Sequence, residues 1–187
     1  MLFDTHAHYY DKKFDPDRDK LLSSMKENNV GYIINAGCGI ESTKRSIALA
    51  EKYDFVYATA GVHPNHVEDM NDRAFDAIRM LAKHPKVKAI GEIGLDYFYD
   101  YVDKETQKEA FAKQIDIAKV LKLPFVIHCR DACKDTLDIL RSEYNGGGAL
   151  MHCFSESVET ARIVLNMGVT IAIGGTVTFK NNVRTVE

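Results

Sequence analysis

Short apolar runs rich in β-branched residues recur seven times along the chain, and amphipathic stretches separate them. That alternation predicts βα units and a mainly parallel sheet, because strands covered by helices read as nearly continuous apolar segments. The runs fall at residues 2–5, 32–36, 55–60, 87–92, 125–128, 149–152 and 169–173. Between them, Asp15 followed by Pro16 reads as an N-cap with proline at the first helical position, ahead of an apolar stripe of Leu21, Leu22 and Met25. Asp103 opens the strongest helix, in which Phe111, Ile115, Ala118 and Leu121 recur at steps of three and four, and Pro124 stops it. Gly168 closes another helix after Val164 and Leu165, while residues 145–148 read as a flexible loop.

An open doubly wound sheet and a closed barrel both accept such a succession. A dinucleotide-binding sheet announces itself by a glycine-rich turn after its first strand, and here that turn reads DTHAHYY. The expected fold is therefore α/β and of the (β/α)8 TIM-barrel type. Such barrels gather their chemistry at the C-terminal ends of the strands, where this chain repeatedly places a histidine or an acid.

Composition narrows the function. A chain of 187 residues buries about two thirds of its unfolded surface, so its core needs no disulfide or metal staple. With 24 basic and 27 acidic residues the net charge is −3, which argues against a broad electrostatic grip on nucleic acid or an anionic membrane; a phosphate-bearing substrate must be held locally. Four cysteines without a CxxC pair suit a reducing cytoplasm, the start MLFDTHAHYY carries no secretory pattern, and no apolar run approaches the roughly 20 residues of a membrane span. The expectation is a cytoplasmic protein with no membrane partner.

Five residues stand out as metal ligands. Asp4, His6 and His8 alternate with Thr5 and Ala7, so the two-residue period of a strand aims both imidazoles to one side, where they can grip one ion; a plain polar turn is the competing reading. Glu92, flanked by Gly91 and Gly94 in AIGEIGLDY, is costly to bury without a cation, and its two oxygens can bridge two; a salt bridge to Arg130 or a lysine competes. His128 closes PFVIH and His152 closes ALMH, each of which alone reads as a hydrogen-bonded core histidine. Together the five converge from four strands on the end where catalysis is expected. Asp4 and Asp96 suit either the fixing of imidazole tautomers or the capping of the next turns.

Around that cluster, His63 in AGVHPN is a substrate-binding candidate, with Asn65 and His66 weaker ones, against a turn fixed by Pro64. Arg130 offers a planar fork to a phosphate, against pairing with Asp131 or Asp135. Tyr97, Phe98, Tyr99 and Tyr101 suit a rim for stacking an unpaired base, or simple packing. Cys129, Cys133 and Cys153 adjoin the histidines but alternate to the opposite face, and read as buried thiols.

With DTHAH, GVHP, GEIGLDY, HCRDA and MHCFS in this order, the sequence resembles the TatD family of metal-dependent deoxyribonucleases from Leu2 to about Asn181. The resemblance implies a distorted (β/α)8 barrel with one or two divalent ions (Zn, Mn or Mg) that hydrolyses phosphodiester bonds of DNA, single-stranded or at ends, by a metal-activated water, with Glu92 catalytic. It implies His6 and His8 on a first ion, Glu92 as bridge, and His128 and His152 on a second. It also implies that family members continue past GGTVTFKNN into an eighth strand with an ETD-type motif, so residues 1–187 are expected to be one C-terminally truncated barrel domain of about seven βα units. The missing segment or another chain is then an expected partner. The competing functions are a related barrel hydrolase acting on an amide, lactone or phosphotriester, where many relatives carry a carboxylated lysine at the bridge, and an inactive metal-binding barrel.

Overall fold

The computed structural model of the chain describes residues 1–180; Asn181, where the resemblance runs out, and the residues after it lie outside the described residues. Seven parallel strands form one curled, TIM-barrel-like sheet in sequence order: β1 (Leu2–Ala7), β2 (Val30–Asn35), β3 (Val56–Ala60), β4 (Val87–Asp96), β5 (Phe125–Arg130), β6 (Ala149–Met151) and β7 (Thr170–Ile171). Among the described residues six α-helices cover it: α1 (Arg18–Ser23), α2 (Ile40–Lys52), α3 (Asp72–Leu81), α4 (Lys104–Leu121), α5 (Cys133–Glu143) and α6 (Val158–Asn166). Among the described residues β1 and β7 are the two sheet edges, and His6, His152, Ala172 and Gly174 help line the cleft between them. No described helix is long and apolar enough to cross a membrane.

All seven expected strands are present, with shifted ends. β4 is the largest departure: it runs on to Asp96, so Glu92 lies inside a strand rather than closing one. The reason is its neighbour. After a register shift between Ile90 and Ile93, β4 continues to pair with β5 from Ile93↔Ile127 through Asp96↔Arg130. Gly94 permits the close approach: its φ is +141°, and a Cβ there would lie 2.0 Å from the His128 carbonyl oxygen.

Asp103 caps α4 as expected, accepting from the Thr106 amide, and Phe111, Ile115 and Ala118 are buried against the sheet. Lys122, in the left-handed conformation, ends this helix before Pro124 is reached. Gly168, with φ +80°, follows α6. The expected cap at Asp15 does not form. Asp11 caps a single 3-10 turn at Lys12–Phe14, and α1 starts only at Arg18. Arg18 reaches back to the Asp15 carboxylate and to the carbonyls of Tyr9 and Asp11, so Asp15 is occupied by a cation rather than by helix amides.

Two buried glutamines on α4 fix the level of the strand ends. Gln114 accepts from the Val62 amide at 2.8 Å and donates to its carbonyl at 3.1 Å. Gln107, seven residues or nearly two turns earlier, accepts from the Asp96 amide at 2.9 Å and donates to the carbonyls of Asp96 and Val102. One helix thereby sets the height of the loop that carries His63 and of the end of β4.

Candidate metal centre

Glu92 is 3% exposed and stands at the centre of the site. Its two oxygens face different groups. Oε2 is 3.2 Å from His6 Nε2, 3.6 Å from His8 Nε2 and 3.4 Å from the Cys38 thiol, which donates to it. Oε1 is 2.8 Å from His128 Nδ1, 2.7 Å from His152 Nε2 and 3.8 Å from His63 Nε2. Strand geometry supplies the convergence: His6 lies in β1 with His8 just past it, Glu92 in β4, His128 in β5, and His152 one residue beyond β6. The salt bridge from Glu92 to Arg130 is not formed, because the imidazoles take both oxygens.

The donor set suits a cation. His6 Nε2 and His8 Nε2 are 3.0 Å apart, and His128 Nδ1 and His152 Nε2 are 3.2 Å apart. Two nitrogens each about 2.0–2.1 Å from one ion lie about 2.9 Å apart at a right angle and about 3.4 Å apart in a tetrahedron, so both pairs have the spacing of shared ligation. His6, His8 and Glu92 form one compact group of possible ligand atoms, and His63, Glu92 and His128 form another.

Electrostatics follow from the crowding. Burial pushes the Glu92 carboxyl up, but bonds from His128, His152 and His6 outweigh it and hold it well below the usual carboxylate range. Burial lowers His128, yet Asp96 and Glu92 on opposite sides of the ring raise it to about 9. Burial likewise raises Asp96, and its bond to His128 brings it down to about 2. His63 is lowered by burial to about 4, so it is neutral at pH 7. Its Nδ1 accepts from the Asn65 amide, which places the ring proton on Nε2, facing the cluster. That tautomer makes His63 a donor toward the cleft.

The flanking expectations divide. Asp96 does hold an imidazole, with Oδ2 3.1 Å from His128 Nε2. Asp4 does not; it accepts from the His6 backbone amide. Asn65 is bound to Asp96 Oδ2, and His66 faces the Cys38 carbonyl. Arg130 lies over the Phe98 ring at 3.7 Å, while Asp135, its competing partner, is taken by Lys108 and Tyr97. Cys129, Cys133 and Cys153 are only half-buried: Cys129, near the end of β5, and Cys133, at the start of α5, pack at the margin of the core rather than inside it, and Cys153 lies just beyond β6. Cys38, just beyond β2, joins the site without any sequence signal beyond a lone cysteine near a strand end.

A family model for TatD-related DNases matches residues 3–187. The chain belongs to the TatD-related DNase family. Within this family, it is 42% identical over 182 residues to the uncharacterized metal-dependent hydrolase YabD of Bacillus subtilis, covering 97% of this chain and 71% of that protein. It is 34% identical over 175 residues to the 3'-5' ssDNA/RNA exonuclease TatD of Cronobacter turicensis, covering 93% of this chain and 66% of the relative. The crystal structure of a TatD homologue from Escherichia coli superposes with a TM-score of 0.88 at 32% identity, over 95% of this chain and 70% of the other. The chain thus spans about two thirds of the length of the TatD relatives it matches.

Proposed function

We propose that the chain holds one or two divalent ions on His6, His8, Glu92, His128 and His152 and hydrolyses phosphodiester bonds of nucleic acid, with single-stranded DNA or DNA ends as substrate. The observation that carries this reading is the buried Glu92 carboxylate with imidazoles on both oxygens. An ion held by these residues would supply Lewis-acid chemistry for activating water against a phosphodiester. Glu92 bridges the two histidine groups through its separate oxygens. Asp96 keeps the proton of His128 on Nε2 and so presents Nδ1 to the cluster. His63 donates its Nε2 proton to a substrate oxygen, and the Arg130 guanidinium meets a phosphate at the rim. The nitrogen-rich set favours zinc or manganese over magnesium, which prefers oxygen donors. Four free thiols fit a reducing, cytoplasmic setting.

The test measures metal content and the hydrolysis of a labelled single-stranded oligonucleotide with and without chelator. Hydrolysis is expected to disappear with chelator, to return with zinc or manganese, and to fall at least about 100-fold in Glu92→Gln. Chelator-insensitive cleavage, or wild-type turnover in Glu92→Gln, defeats the reading.

A further inference from the structure

The loop after β4 carries three large exposed aromatics in four positions: Phe98 is 54%, Tyr99 38% and Tyr101 63% exposed. Aromatics that merely pack are covered, and an exposed aromatic patch beside a polar cleft marks a binding surface. These rings form a ladder. The Arg130 guanidinium lies on Phe98, Phe98 meets Tyr99 edge-on at 4.8 Å, and Tyr99 stacks on Tyr101 at 5.0 Å with only 7° between the ring planes. Tyr101 lines the same cleft as Glu92, His63, His128 and His152.

The loop is anchored on both sides of Tyr101. Asp96 Oδ1 accepts from the amides of Phe98 and Tyr99, while its Oδ2 holds His128. Gln107 ties down the Val102 carbonyl, and the Tyr97 hydroxyl donates to Asp135. A platform fixed before binding loses little entropy when a ligand lands on it. The same aspartate therefore anchors both the rings and an imidazole of the cluster.

From this arrangement we propose that Tyr101 and Tyr99, backed by Phe98 and Arg130, form a stacking platform for an unpaired base of single-stranded nucleic acid beside the metal centre. This rests on the nuclease reading above. A flat ring face accepts any base, whereas a base stacked inside a duplex cannot reach it. Arg130, stacked on Phe98, adds a positive charge beside the rings that can meet a backbone phosphate, in a chain whose net charge is −3. The platform thus selects single strands without selecting sequence.

The test reads fluorescence anisotropy of a short labelled oligothymidylate with chelator present, so that binding is separated from turnover. A second oligonucleotide has the same backbone but abasic residues. Tyr101→Ala is expected to weaken the intact oligonucleotide about 5- to 150-fold, the equivalent of about 1–3 kcal/mol per stacked base. The preference for the intact over the abasic strand should collapse in Tyr101→Ala and survive in Tyr101→Phe. Equal weakening of both strands, or no weakening, overturns the platform and leaves another protein as the better occupant of the rings. Hydrolysis of bis(p-nitrophenyl) phosphate, which needs no base platform, is run on the wild-type chain with metal. Its absence defeats the nuclease reading, while the anisotropy result judges the platform separately.

Discussion

Gly94→Ala tests the geometry on which the centre depends. Gly94 pairs with His128 across β4 and β5, and the added methyl carbon would lie 2.0 Å from the His128 carbonyl oxygen and 3.0 Å from its amide nitrogen. Both are backbone atoms that cannot swing aside, so the strands must part by about 1 Å or more to restore an ordinary contact. The φ of +141° at Gly94 adds strain for any residue with a side chain. Backbone strain of about 1–3 kcal/mol and overpacking of about 1–3 kcal/mol together predict a loss of about 2–6 kcal/mol. That is a large share of the 5–15 kcal/mol roughly typical of a folded domain.

The assay is urea unfolding followed by tyrosine fluorescence, since the chain has nine tyrosines and no tryptophan. Gly147→Ala is the control: its nearest neighbour would be Asn145 Oδ1 at 3.5 Å, and its effect should stay within about 0.5 kcal/mol. If the proposed centre holds an ion, Gly94→Ala should also weaken the uptake of added zinc, because His128 rides on the displaced strand. If the two variants unfold at the same urea concentration with equal slopes, β4 and β5 do not approach as closely as described, and the placement of His128 against Glu92 falls with them.

Two further outcomes follow from the titrating groups. With chelator present, His128 contributes stability because its folded pKa, about 9, lies above its ordinary value of 6.5. That contribution is complete below about pH 6.5 and is lost as pH rises through about 9, so Asp96→Asn should move the loss to lower pH; an unchanged profile by denaturation and histidine NMR refutes the pairing. Cys133, at the start of α5, is lowered to about 7 by a bond from Cys129, whereas burial raises the Cys38 thiol. Iodoacetamide should therefore modify Cys133 first, with a rate that climbs around pH 7; mass spectrometry finding Cys38 equally fast contradicts the burial of the centre.

Much of this was legible in the residues. Parallel strands covered by helices are apolar throughout, so each of the seven announced itself; a single histidine ending such a run reads as a core histidine, and only imidazoles recurring at three strand ends with Glu92 on a fourth pointed to one site. The overrun of β4 past Glu92 was not legible, because the apolar run reads as ending at Glu92, between the glycines at 91 and 94, until the register shift against β5 is known. Asp15 misled for a local reason: its signal as a cap is genuine, but Arg18 outcompetes backbone amides for its charge. Cys38 carried no pattern, since a single small thiol near a strand end is usually packing.

Gln107 and Gln114 were hidden more deeply, because a polar residue within an amphipathic helix reads as its solvent face. Their burial inverts that reading. Each amide donates to and accepts from one backbone residue, Asp96 for Gln107 and Val62 for Gln114, groups that the parallel ladder leaves open where strands end. An apolar side chain at either position would bury as well and leave those groups unpaired, at a cost of about 1–3 kcal/mol each. The polar choice thus does what packing cannot: it fixes β3 and β4 at one height along a single rigid helix. Asp96 carries that height into the centre through His128 and outward to Tyr99 through a backbone amide. The separation between the imidazole cluster and the aromatic rim is consequently a property of α4, and substitutions on that helix should lower the proposed hydrolysis without touching a candidate ligand.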